Sequence, residues 1–437
     1  MLTQPSYSPQ FEKAAYRKVT LRLIPFLILC FVIAYMDRVN VGFAKLEMQK
    51  DLGMSDTVYG IGAGIFFLGY FFFEVPSNIA LQKFGARKWI APIMIIWGFL
   101  SSCTMFTRSA AFFYVIRFSL GLFEAGFFPG VILYLTLWYS GRHRARMVAA
   151  FMTAIALSGI IGGPVSGWIL SNISGMCGLR GWQWLFLLEG VPSVIVGSLV
   201  YFVLDDEPSK AKWLTEDERN LLVQRLAEDE ERKNTQGSSH RTLRDVFRSP
   251  VVWAFCLVYF GIIMGVYGIG FWMPQIINDS ITTNVWNIGL ISVIPWAFGA
   301  LAMVWNGHHS DVTGERRWHI ALAAVIGSVA FASSGIPGIS SILVVIALSL
   351  ATAGVLSALS SFWALPTSIL SGTAAAAGIA WINSIGNLAG YVSPYVVGKI
   401  RDATHDMLYA LLVIAAFCLM SALLVLQVTP RTNTKNS

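Results

Sequence analysis

Charge is what this chain has least of. Of its 437 residues only 13% are Asp, Glu, Lys or Arg, while 55% are hydrophobic and the mean hydropathy is +0.63. Soluble domains carry about 25% charged residues, so composition alone excludes a soluble enzyme or binding module and leaves an integral membrane protein. Cysteine is scarce too. Cys30, Cys103, Cys177, Cys256 and Cys418 are scattered, mostly within apolar runs, with no disulfide or metal spacing; they read as small membrane hydrophobes. The six histidines fall in loops or at the ends of apolar runs, and His308–His309 has no third ligand nearby, which excludes a metal centre and an intramembrane histidine relay. No glycine loop with a following lysine is present, so an ATP-driven pump is excluded, and no cofactor is implied. No nucleophile–base constellation sits in the apolar runs, which argues against a membrane enzyme. A sensor would need a signalling domain, and neither the stretch 205–250 nor residues 429–437 have room for one. The N-terminus is polar through Arg22, and the first apolar run is too long for a cleavable signal peptide.

What is present is a series of apolar runs of about 20 residues, the length that crosses a bilayer as a helix. Twelve spans are expected, near 20–42, 58–80, 89–107, 111–138, 145–171, 184–204, 251–277, 287–306, 318–336, 341–368, 374–398 and 406–428. An even number puts both termini on one side. With that side cytoplasmic, only Lys45, Lys50, Arg108, Arg180, Lys399 and Arg401 of the 31 Lys and Arg fall outside, and Arg38 and Arg117 are intramembrane. The positive-inside bias then orients the chain as a multi-pass protein of the cytoplasmic (inner) membrane, and explains the pI near 9.1 without nucleic acid. The hydrophilic stretch 205–250 divides the chain into 1–204 and 251–437, two six-span bundles. Within it, Leu221, Leu222, Val223 and Leu226 alternate with charges at helical spacing, and GSSHRT (237–242) reads as linker.

The two halves repeat. LQKFGARK (81–88) and GHHSDVTGERR (307–317) each place a glycine two residues before a basic pair, Gly85 before Arg87–Lys88 and Gly314 before Arg316–Arg317. Spans five and eleven each carry glycines four apart and then a proline: Gly159, Gly163, Pro164 and Gly386, Gly390, Pro394. Small residues at that spacing let helix backbones approach closely. Parallel six-span repeats are the architecture of one large class of secondary transporter. Against this apolar background stand Asp37–Arg38 in span one and Arg117 and Glu124 in span four. Each charge costs roughly 2.5–3.5 kcal/mol at membrane depth, so it marks a functional site.

These features together resemble the major facilitator superfamily over essentially the full length. Gly307, Asp311, Gly314 and the pair Arg316–Arg317 match its cytoplasmic gating signature; the first copy departs from it, with Gln82 where the signature has aspartate. Within the superfamily the chain resembles the anion:cation symporter family, through YMDRVNVGFA (35–44), FFFEVPSN (71–78), FGARKWIA (84–91), RFSLGLFEAGFFPG (117–130) and GWQWLFLLEG (181–190). The resemblance implies an all-α fold of twelve helices, a monomer, and uptake with protons of a small organic anion: tartrate or a sugar acid, or an aromatic or pyridine carboxylate. By similarity to galactonate-type members, Asp37–Arg38 and Arg117 with Glu124 serve proton and substrate, Tyr35 and Tyr70 are cavity tyrosines, and Asn383 or Asn387 contacts substrate. The gate is expected at Asp311, Arg316, Arg317, Arg87 and Lys88.

The residue chemistry agrees with that expectation. Glu124 is the first choice for the proton-coupling carboxylate and Asp37 the second; Arg38 and Arg117 offer the planar forks that suit a carboxylate. Seven residues, about two helical turns, separate Arg117 from Glu124, so a static ion pair between them is the alternative reading. Glu74, one turn after Tyr70, could face the same cavity or be a structural acid; Glu189 reads as structural. Tyr267, Trp363 and Trp381 are the aromatics placed to stack on a flat acid. An organic-anion exchanger without proton coupling is the competing function.

Overall fold

In a bilayer each backbone N–H and C=O needs an internal partner, so apolar runs of this length fold as helices. A computed structural model of the chain describes residues 7–235, 248–369 and 373–428, and among these no strand occurs. The linker 237–242 lies outside the described residues. The N-terminal half comprises α1 (Pro9–Val39), α2 (Val41–Leu52), α3 (Asp56–Phe84), α4 (Ala86–Cys103), α5 (Ala110–Glu124), α6 (Phe127–Trp138), α7 (Gly141–Met152), α8 (Ala154–Asn172) and α9 (Gly181–Val203). After α10 (Glu216–Thr235) come α11 (Pro250–Ser280), α12 (Val285–Thr313), α13 (Arg317–Ser334), α14 (Ser341–Phe362), α15 (Ala364–Ile369), α16 (Thr373–Asn387), α17 (Ala389–Thr404) and α18 (Met407–Val428).

Eleven helical segments among the described residues are long and apolar enough to span a membrane. The remaining expected span, 374–398, is α16 and α17, of 15 and 16 residues, joined at Leu388. Four other spans are interrupted in the same way, at Asn40, at Ala125–Gly126, at Thr153 and at Trp363. Spans one, four and five of one half and ten and eleven of the other are therefore each built of two helical pieces. The backbone keeps right-handed helical angles at these joints, and Arg38, Glu124, Met152 and Asn387 each stand within two residues of one.

The halves meet through α8 against α12 and α3 against α17. The glycine–proline repeats explain both contacts. A Cβ at Gly163 would stand 2.8 Å from the Gly289 carbonyl, and one at Gly390 would stand 2.5 Å from the Phe67 ring. Glycine is what allows that approach. Pro9 and Val428 lie at one end of the bundle, here called the termini face, and the α2–α3 and α11–α12 connections lie at the far face.

The start of the stretch expected as a linker packs on the N-terminal half. Trp213 stacks on Trp138 at 5.7 Å, Leu221 and Leu222 are fully buried, Arg225 pairs with Glu12 at 2.7 Å and Lys18 with Glu218 at 2.7 Å. Burial pushes the Glu218 carboxyl up, but the bonds from Lys18 and the Thr215 N–H outweigh it and hold the group below its ordinary value.

Overpacking a tight contact costs about 1–3 kcal/mol. Gly163→Val is therefore expected to lower the thermal midpoint of the detergent-solubilised protein by several degrees, with wild-type amounts in the membrane. An unchanged midpoint would show that the α8–α12 contact is not tight.

Candidate functional site

At the centre of the bundle a cavity lies between the halves. Its wall is largely aromatic and aliphatic, with Phe31, Tyr35, Phe67 and Tyr70 from the first half and Tyr259, Tyr267, Ile263 and Leu359 from the second. Polar groups on the wall are few: Arg38, Asn383, Asn387 and the tyrosine hydroxyls. Arg38 is its one charged residue among the described residues. The buried Tyr35 hydroxyl has no hydrogen-bond partner among the described residues, so it is available to a ligand.

Arg38 does not stand free. Its Nε donates to Glu124 Oε1 at 3.1 Å, one terminal nitrogen donates to the same oxygen, and the other donates to the Tyr267 hydroxyl at 3.0 Å. The guanidinium carbon lies 5.1 Å from the Phe66 ring centre and 5.7 Å from those of Tyr35 and Tyr70. Glu124 is 2% exposed, so the pair is closed off from water on the carboxylate side. Aromatic faces favour a cation, and a low-dielectric surround strengthens the ion pair once it has formed.

Arg117, the other guanidinium expected on an anion, is off the cavity wall. It is 1% exposed and donates to main-chain carbonyls of Gly62 (3.4 Å), Ala63 (3.5 Å) and Arg38 (3.2 Å). Two turns along α5 from Glu124, it ties α3 and α1 together, and the Arg117–Glu124 pair raised by their spacing is replaced by Arg38–Glu124. Asp37 also points away from the cavity. It accepts bonds from Ser101 (2.9 Å), Trp97 (3.3 Å) and Ser193 (2.5 Å), wholly within the N-terminal half. Asn383 reaches across the halves to Glu74 at 2.8 Å, and Ser384 to the same carboxylate at 3.1 Å, so Glu74 closes the termini side of the cavity. Of the aromatics expected to stack on substrate, Tyr267 is on the wall; Trp363 packs on Tyr259 and Trp381 on Trp253.

The residues expected to form the gate bond within their own halves. Arg87 donates to the Tyr201 carbonyl, Arg316 pairs with Asp311 at 2.5 Å and donates to Ser310, Arg317 donates to the Leu426 carbonyl, and Lys88 is exposed.

The far face carries a network that sequence reasoning missed. Lys45, 1% exposed, pairs with Asp56 at 2.8 Å and donates to Gln275 of the other half at 2.6 Å. Arg401 pairs with Asp279 (2.7 Å) and Asp56 (3.6 Å), while Asp402 accepts the N–H groups of Asp56 (3.0 Å) and Thr57 (2.7 Å). Asp402 thus caps the first turn of α3 from the opposite half, where a carboxylate suits the positive end of the helix. The only sequence signal was a lysine immediately after the apolar VGFA.

Two six-helix halves closed at one face around a polar-spotted cavity define a secondary transporter. The sequence matches the Major Facilitator Superfamily over residues 27–394, and the chain belongs to that superfamily. It is 47% identical to an Agrobacterium vitis protein named "Putative tartrate transporter", over 95% of this chain and 91% of that one. It is 46% identical to a Pseudomonas putida protein named "Putative metabolite transport protein NicT", over 95% and 94% of the two chains. These relatives agree with the anion:cation symporter type. The solved structure of a D-xylose–proton symporter superposes with a TM-score of 0.74 at 15% identity, over 95% of this chain and 99% of that one, which shows the shared fold. The chain is a membrane transporter and not an enzyme.

Removing one partner of a buried charge pair costs about 3–5 kcal/mol locally. Lys45→Met is therefore expected to open the far face, seen as several-fold faster labelling by a membrane-impermeant thiol reagent of a cysteine placed at Tyr59. Labelling no faster than in the Tyr59→Cys parent would remove the network from the gate.

Proposed function

We propose that the protein imports a small organic monoanion together with a proton by alternating access, with Glu124 as the coupling carboxylate and Arg38 as the anion ligand. One observation carries the reading: the only charged group on the cavity wall among the described residues, Arg38, is already occupied by Glu124. A substrate carboxylate and the Glu124 carboxylate compete for one guanidinium. Protonating Glu124 frees the fork, and a bound anion lets Glu124 hold its proton. Each ligand therefore favours the other, which is the linkage that symport requires.

Charge accounting points the same way. The empty pair is neutral, and so is protonated Glu124 beside an Arg38–carboxylate pair. Anion alone or proton alone leaves a net charge at mid-depth, and those forms cross poorly. Movement of the halves past each other is served by the joints in spans one, four, five, ten and eleven. We place the protein in the cytoplasmic membrane as a monomer with both termini cytoplasmic, so that the far face is extracellular and Asp311, Arg316, Arg317, Arg87 and Lys88 serve the inner gate.

The cavity favours a compact acid with a flat or apolar body. A single guanidinium takes one carboxylate, Tyr35, Tyr267 and Phe67 supply faces, and Asn383 and Asn387 supply amides for a hydroxyl or ring heteroatom. An aromatic or pyridine monocarboxylate satisfies this wall better than a dianion, whose second carboxylate would find no cation. Arg117 supports the site by holding α1 against α3.

The test is the external pH of lightly buffered, de-energised cells pulsed with tartrate, sugar acids and aromatic or pyridine carboxylates. Alkalinisation with one acid, lost in Glu124→Gln while counterflow exchange survives, is the expected result. Labelled uptake without any pH change would make the protein an exchanger. In the same assay Arg38→Lys is expected to raise KM about tenfold, the equivalent of ~1.4 kcal/mol, because a point charge cannot replace the fork. An unchanged KM would take Arg38 off the substrate.

A further inference from the structure

A second, smaller cavity lies between the halves on the far side of the central one. Its polar lining consists of Asn40, Ser158, Ser166, Glu189 and Ser292. Glu189 is 5% exposed; one carboxylate oxygen accepts from Ser166 at 2.7 Å and the other has no hydrogen-bond partner. Asn40 is 2% exposed; its amide makes no close hydrogen bond and bears only loosely on the Glu189 carboxylate. Two side chains thus present unpaired polar atoms to one buried space, at a cost of about 1–3 kcal/mol per group unless something is received there.

Two helical steps separate the cavity from Asp37. Ser193, one turn after Glu189 on α9, donates to Asp37, and Asn40 lies one turn after Asp37 at the α1–α2 joint. Asp37 in turn acts electrostatically on Glu189, and no other titratable or charged group bears on that carboxylate from α1, α8 or α9 among the described residues. Depth follows the same order. Glu189 is eight residues, about 12 Å, from the far-face start of α9; Ser193 and Asp37 lie a turn deeper, and Glu124 ends α5 some 21 Å from its own far-face start.

We infer that Glu189 is the proton-intake carboxyl of the carrier, which takes a proton from the far-face solution and passes it to Asp37. The inference rests on the proton-symport reading above. Hydronium gives its proton to the unpaired oxygen of Glu189 and leaves water behind. Ser193 then hands its hydroxyl proton to Asp37 and takes the one from Glu189, which returns to carboxylate. Asp37 ends as the neutral acid. Asn40 holds the incoming water against the free carboxylate oxygen. The cavity is thereby a water- and proton-binding site separate from the one for the organic anion.

The test compares, in proteoliposomes, initial uptake driven by an external acid step with counterflow exchange at equal pH on the two sides. Wild-type protein that takes up substrate but shows no response to the acid step would bring down the symport reading itself, before any variant is made. Given that response, Glu189→Gln is expected to slow acid-driven uptake about tenfold or more and flatten its dependence on external pH. Counterflow should remain near wild type, and Glu189→Asp should restore the acid-driven rate. Wild-type acid-driven uptake in Glu189→Gln would overturn the inference. So would an equal loss in both assays, which is what a purely structural role predicts.

Discussion

The Arg38–Glu124 contact is the constraint on which the rest of the molecule is arranged. A guanidinium and a carboxylate placed between apolar helices are tolerable only while each has the other. The structure surrounds them with Phe66, Tyr35 and Tyr70 rings and gives the last guanidinium nitrogen to Tyr267 of the opposite half. That last bond makes the pair a link between the halves as well as a ligand site. Any anion that takes over the fork, and any proton that takes over the carboxylate, changes a contact between the two bodies that must move.

The other buried charges are divided by task. Arg117 is spent on main-chain carbonyls next to close helix contacts, where Gly121 lets the Phe66 carbonyl approach, so its charge is satisfied without a carboxylate. Lys45, Asp56, Arg401 and Asp279 gather at the far face, where alternating signs from both halves hold it shut. A gate built of ion pairs and one carboxylate cap can open without exposing an apolar surface, because each group can return to water. The apolar contacts between halves lie instead at the glycine seams of α8 with α12 and α3 with α17, which suit rocking.

The architecture was legible in the sequence because it is written in runs and repeats. Apolar length placed eleven of the twelve spans, and the glycine–proline repeat marked the two seams. The cavity residues Arg38, Tyr35, Tyr70, Asn383 and Asn387, singled out in the sequence, lie on one wall. What the sequence could not supply was partnership across helices. Seven-residue spacing relates Arg117 to Glu124 along one helix, but Glu124 finds its partner 86 residues away, and Lys45 finds Gln275 at a separation of 230. Helical periodicity carries no information at that range. The break in span eleven went unread, although Gly386 and Gly390 flank Leu388.

Reversal of the carrier needs the centre and the far face to answer to one another, and α1–α2 is the element that connects them. Asp37 and Arg38 end α1, Asn40 is its joint, and Lys45 lies one turn into α2. A shift at Arg38 when its fork changes partner is therefore carried along a single segment to the lysine that bridges to Gln275. The ion pair at the centre and the ion network at the face thus stand at two positions of one helical segment, joined at Asn40 by backbone bonds to Met36 and from Ala44.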